Sequence, residues 1–151
     1  MFHPSRITWF MVADGTKARL FESSGRPEGW KLVNEWQDEM ARSPSRDLGD
    51  DRPARGVKSG SGSRYAIDVS DEHEKAEASF IQERATFLNS SAADGAYDQL
   101  VLTAPPTALG IFRKRLSPDA TAKYVSVLDK DLTNMPEQEL YEYFKNNIER
   151  W

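Results

Sequence analysis

No cysteine occurs among the 151 residues, which excludes a disulfide framework, a thiolate metal centre and a thiol nucleophile, and fits a reducing compartment. An excess of positive charge is also missing. Lys and Arg number 20 against 24 Asp and Glu, for a net charge of -4. Indiscriminate nucleic-acid binding needs a cationic surplus to displace counterions, so any phosphate-seeking surface has to be local. Long apolar runs are absent: no stretch approaches the roughly 20 apolar residues of a bilayer span. Met1 to Arg6 lacks the basic flank and apolar core of an export signal, and the expected location is the cytoplasm. What is present, 38% apolar residues with 11% aromatic, suffices for one core, and a single domain over 1–151 is expected.

The apolar pattern sets the element order. Ile7 to Ala13 is apolar on both faces and rich in strand formers, as in a central strand covered on two sides. Asp14-Gly15 is a hairpin signal whose residues tolerate positive φ, so Lys17 to Glu22 should return antiparallel. Trp30 to Trp36 alternates, with Trp30, Leu32 and Trp36 in phase on one side. From 37 to 69 periodicity disappears amid prolines and glycines, which predicts a long loop. Asp71 with Glu74 makes a capping-box pattern for a helix running to about Ser91. Ile81, Ala85, Leu88 and Ala92 form its apolar stripe, beside Phe80 and Phe87. Leu100 to Leu102 reads as a buried strand entering a second helix through Pro105-Pro106, with Leu109, Phe112 and Leu116 inward and Ser117-Pro118 as its stop. Tyr124 to Leu128 gives a fifth strand. Asn134 with Glu137 can cap a last helix bearing Leu140, Phe144, Ile148 and Trp151 on one face.

The resulting order, βββαβαβα, predicts an α/β domain with a mixed five-stranded sheet and helices on its faces, as in ribonuclease-H-like folds. Its main candidate site is the loop segment with Arg52, Arg55, Lys58 and Arg64 around Gly56, Gly60 and Gly62. Glycine lets backbone N–H groups approach an oxyanion, and the cations attract phosphate; the plain alternative is a solvated loop balanced by Asp47, Asp50 and Asp51. A P-loop is excluded by the missing Gly-Lys-Ser/Thr ending. His73 and Glu77 lie one helical turn apart and can share a metal, but the charge run there is better read as helix capping, and neither a metal nor another cofactor is expected. A two-metal nuclease needs converging carboxylates, and Asp14 with Glu74 or Glu77 lacks a third at Thr103-Ala104-Pro105. Asp129 and Asp131 read as a strand end leading into a cap, and no catalytic residue is assigned.

Five stretches, WFMVADGTKARLF, DRPARG with SGSGSRYA, DEHEKAEASFI, YDQLVLTAPPTALGIFRKRLSP and LDKDLTNMPEQEL, together resemble a bacterial family named for a protein required for attachment to host cells. That family is in turn similar to the central domain of archaeal and eukaryotic peptide-release factors. The resemblance implies a release-factor-like fold in which the long loop approaches the ribosome or RNA. Release factors carry a Gly-Gly-Gln tip there, whereas this chain has Ser59 to Ser63 (SGSGS), so loop position carries over and peptidyl-tRNA hydrolysis does not. Three functions follow as expectations: a binding module contacting ribosome or RNA through 52–64, a protein-interaction factor in attachment or envelope behaviour using Trp30, Trp36 and the last helix, and a hydrolase acting on RNA or peptidyl-tRNA.

Overall fold

The computed structural model describes residues 6–24, 29–38 and 62–148. Its sheet has five strands: β1 (Thr8–Ala13), β2 (Lys17–Ser23), β3 (Lys31–Gln37), β4 (Gln99–Ala104) and β5 (Tyr124–Asp129). They lie in the order β3-β2-β1-β4-β5. The first three pair antiparallel, and β1 pairs parallel with β4 as β4 does with β5. The opening strand is therefore central, and all six of its residues are buried. That follows from an apolar run with no polar phase, which is stable only when both faces are covered.

Helices supply the cover. On one face, α1 (Gly62–Ala93), α2 (Pro106–Arg115) and the short α3 (Pro118–Thr121) enclose Trp9, Met11, Leu20, Leu100 and Leu102 of the sheet, with Ile81, Leu88 and Phe112 facing them. On the other, α4 (Glu137–Asn147) brings Leu140 and Phe144 onto Phe10, Val12, Phe21 and Val101. The inward stripe read along α1 holds: Phe80, Ile81, Ala85, Leu88 and Ala92 are all buried. After α1 the chain reverses at Gly95, whose φ of 72° is open to glycine without the steric cost a Cβ carries. There Gly95 N–H donates to Ala92 O and Ala96 N–H to Ser91 O.

Several boundaries differ from expectation, each for a physical reason. Helix α1 begins at Gly62 rather than at Asp71, so 62–69 are helical and Asp71 is an interior residue, not a cap. The capping-box pattern is also a legitimate run of helix-interior acids, and Tyr65 to Val69 offers no breaker upstream of it. Pro118 does not simply end α2; it opens α3, where Ser117 Oγ accepts from Ala120 N–H. For α4, Pro136 occupies the cap position, and Asn134 instead accepts a hydrogen bond from Lys17 Nζ. The hairpin after β1 uses no positive φ, since Gly95 is the only residue with one among the described residues. Asp14 closes it through its side chain, accepting from Thr16 N–H at 2.7 Å and Lys17 N–H at 2.8 Å.

The largest departure is in β3. Leu20 pairs with Asn34 but Phe21 with Leu32, so Val33 is an extra residue, a bulge. It reverses the phase of the strand beyond it. Trp30 consequently stacks on Phe21 at 5.0 Å on the α4 face, while Trp36 meets Phe87 of α1 at 5.1 Å on the opposite face. The expectation that Trp30 and Trp36 share a side fails. Both are half-buried packing residues.

Candidate functional site

Parallel strands in an open α/β sheet present their carboxyl ends along one edge, and ligands favour the crevice where successive connections diverge to opposite sides. Here β1 turns back into β2 on one side while β4 continues through α2 towards β5 on the other. The crevice therefore lies beyond Ala13 and Ala104. The end of β3 reaches the same edge, because Gln37 pairs with Lys17 and Asp38 N–H donates to Thr16 O at 2.8 Å. Glu77 of α1 lies there too, against Gly15, where an added Cβ would sit 2.8 Å from its side chain. The entry to the 39–61 connection is thus fixed at the edge occupied by the Asp14 turn, whereas α1 passes this edge at Glu77 and starts about 22 Å farther along its axis, at Gly62.

Asp14 is bonded on both carboxylate oxygens. Oδ1 accepts from the turn N–H groups of Thr16 and Lys17 and from Thr16 Oγ1, and Oδ2 lies 2.9 Å from Thr133 Oγ1. The Thr133 hydroxyl is buried and also lies 2.6 Å from Asp131 Oδ1, so its single proton serves one carboxylate at a time. Arg19 extends the tie, donating through Nη1 to the carbonyl oxygens of Met135 at 2.6 Å and Thr133 at 3.4 Å. These contacts clamp the segment after β5 onto the first hairpin. They give Asp14 and Asp131 structural work. Among the described residues no group of three His, Asp or Glu is placed to hold a metal, and His73 and Glu77 stand within α1 rather than at its start.

Beside this clamp, a concavity of ≈ 390 Å³ is lined by Lys17, Arg19, Glu35, Trp36, Gln37 and Thr133. A second, of ≈ 360 Å³, is lined by Trp30, Glu137, Gln138 and Tyr141 at the start of α4. On the α1 face, Arg84 is 7% exposed, with its guanidinium 4.6 Å from the Trp36 ring and 4.7 Å from that of Phe80. Burial lowers its pKa, opposed by nearby Glu83 and Asp38. This stack pins the end of β3 to α1. Sequence reading missed Arg84, since an arginine in an acidic helix normally reads as a surface ion-pair partner.

Of the residues expected to bind phosphate, Arg52, Arg55, Gly56, Lys58 and Gly60 lie outside the described residues, while Gly62 and Arg64 belong to the backbone of α1. No helix among the described residues is long and apolar enough to cross a membrane. A family model described as "Protein required for attachment to host cells" matches residues 9–144. No curated protein matches the chain.

Proposed function

The chain belongs to the family described as protein required for attachment to host cells, and from that premise we propose a release-factor-like binding module that contacts RNA or the ribosome through 52–64. The observation that carries the reading is that the 39–61 connection leaves the sheet at its carboxyl edge, where Asp38 N–H bonds Thr16 O. The strand order supports the ribonuclease-H-like part of the reading, because a central opening strand with antiparallel neighbours on one side and parallel ones on the other is that architecture's arrangement. The connection carries Arg52, Arg55 and Lys58, with Arg64 just inside α1. This makes a local cationic set on a chain of negative net charge, as phosphate contact requires.

The test is ribosome co-sedimentation and RNA binding at two salt concentrations for wild type and a variant with Arg52, Arg55, Lys58 and Arg64 replaced by glutamine. Thermal melting of both proteins separates a lost contact from a lost fold. Binding should weaken, with the log-log salt slope flattened by roughly 0.7 to 0.9 for each phosphate no longer neutralised. Equal binding by both proteins, with normal melting, would sink the reading. A second reading, a protein-interaction factor in attachment, is favoured by Leu32 and Val33 on the edge strand β3, exposed by 42% and 39%. It predicts partner capture insensitive to these four charges and abolished on replacing Leu32 with a polar residue.

A further inference from the structure

We propose that the corner between Trp30 and the first turn of α4 takes the guanidinium of an arginine on a partner protein chain. The inference rests on the second reading above, a protein contact through β3, and gives that partner its chemistry; it is independent of RNA binding. The corner follows from the fold. Trp30 stands just before β3 on the α4 face, stacked on Phe21, and Leu32 pairs with Phe21 and so shares that face. On α4, Tyr141 lies one turn beyond Glu137 and Gln138, and these three with Trp30 line a concavity of ≈ 360 Å³. The ring centres of Trp30 and Tyr141 are 5.3 Å apart at an interplanar angle of 65°, so the two rings make adjoining walls and not a closed stack.

Charge selects a cation here. Among the described residues the lining holds one carboxylate, Glu137, and no cation. Helix α4 carries Glu137, Glu139 and Glu142, all exposed, against Lys145 in its last turn. Among the described residues none of the three acids is in an ion pair. The helix start contributes about half a positive charge, which the two full carboxylates of the first turn outweigh. Cations on the neighbouring strands are engaged elsewhere. Lys31 lies 3.6 Å from Glu22, which bonds Trp9 on the opposite sheet face, and Arg19 stands over Phe21 beside Glu35, with Nη1 on the Met135 and Thr133 carbonyls. Aromatic walls beside a carboxylate favour arginine over lysine, because a planar guanidinium stacks on a ring while its forked donors reach both carboxylate oxygens. The chain already uses these three parts internally. On the α1 face, the Arg84 guanidinium is 4.6 Å from the Trp36 ring and 4.7 Å from that of Phe80, with Glu83 Oε1 3.4 Å from Nη2. At Trp30 the rings and the carboxylate recur, and the partner supplies the guanidinium. Leu32 and Val33, exposed by 42% and 39%, continue the surface along β3, so the arginine should have apolar neighbours in its own chain.

The experiment titrates the full chain with acetyl-Leu-Arg-Leu-amide, and with the same peptide carrying citrulline, lysine or glutamate at its centre, followed by NMR at two salt concentrations. The arginine peptide should shift the Trp30 indole N–H and the amides of Glu137, Gln138 and Tyr141 saturably, and bind more weakly at the higher salt. Citrulline keeps the shape and removes the charge, so it should bind several-fold more weakly. Glu137→Gln should weaken the arginine peptide several-fold and leave the citrulline peptide unchanged, with thermal melting confirming a folded variant. Leu32→Ser should weaken every peptide alike, since it removes only the apolar contact. Lysine binding as tightly as arginine would overturn the guanidinium assignment. Citrulline or glutamate binding as tightly, or arginine binding indifferent to Glu137→Gln, would overturn the cation site. Shifts confined to Leu32 and Val33, and lost in Leu32→Ser, would overturn the corner and leave the protein contact through β3 standing. Shifts at the corner with Leu32→Ser binding like wild type would overturn the β3 contact and leave the corner as the arginine's site.

Discussion

At the scale of single residues, Tyr97 shows how burial becomes pH dependence. Its ring is fully buried and stacks on Trp9 at 4.6 Å, and its hydroxyl donates to Leu88 O at 2.9 Å. Burial disfavours the phenolate, Tyr124 acts in the same direction, and the Tyr97 pKa is raised above the ordinary tyrosine value of about 10. Burial raises the Tyr124 pKa as well. Above pH of about 10 the unfolded chain holds fewer protons than the folded one, so stability is fully present below that pH and is lost as pH rises towards the raised folded values. Tyr97→Phe should cost about 1 kcal/mol near neutrality, for one hydrogen bond, and should flatten the alkaline decline. Urea unfolding of both proteins at neutral and strongly alkaline pH checks this; parallel declines would show that Tyr97 does not carry the effect. Neither the burial nor the bond was legible beforehand, because Ala96-Tyr97-Asp98 reads as a polar link between elements.

At the scale of elements, α1 and β3 mark where local pattern stops being sufficient. The apolar stripe from Phe80 to Ala92 was readable because packing against a sheet requires it, whereas the true start at Gly62 was not, since no apolar periodicity marks the first part of the helix. A helix of 32 residues is about 48 Å long, against about 20 Å for a six-residue strand, so α1 outruns the sheet it covers. Its buried residues among those described begin at Phe80, and its last turn leads to β4 at the opposite edge, so the excess lies at the edge of the candidate site. The helix start has a direct test: as an interior residue Asp71 should tolerate alanine with a stability change below about 0.5 kcal/mol, where loss of an N-cap costs about 1 kcal/mol. A measured loss near the larger value would restore the helix start to Asp71. In β3 the alternation of Trp30, Leu32 and Trp36 was real in sequence but not in space, because the bulge at Val33 shifts the phase. A similar irregularity in β5 between Leu100 and Val101 of its partner leaves Val125 unpaired. Both edge strands are thereby broken in register, a feature that discourages edge-to-edge association.

At the scale of the whole molecule, the sheet is a middle layer whose two faces depend on different parts of the chain. The α1 face has three helices, but among the described residues the other face has only α4. Phe144 is fully buried there, with ring centres 5.0 Å from Phe10 and 6.2 Å from Trp30. Phe144→Ala should therefore cost about 3–5 kcal/mol, a large fraction of the roughly 5–15 kcal/mol that holds a domain together. Denaturant unfolding followed by tryptophan fluorescence measures it, with Trp30 reporting from the same cluster. A loss below about 1 kcal/mol would show that α4 is a peripheral attachment rather than a layer of the fold.

The α/β class, the order of the five strands along the chain, the central place of the first and, among the described residues, the inward residues of α1, α2 and α4 were written in the residue pattern; Trp151, expected on the inner face of the last helix, lies outside the described residues. Each follows from local composition and periodicity, which one burial environment per element imposes. Folding in three dimensions settled what depends on residues distant in sequence. It set the Val33 bulge through pairing with Leu20 and Phe21, the burial of Arg84 between Trp36 and Phe80, and the redirection of Asn134 from a helix cap to Lys17. It also brought Lys17 and Arg19 together with Thr133, across more than a hundred residues of chain, because only the closed sheet sets the first hairpin beside the segment that follows the last strand.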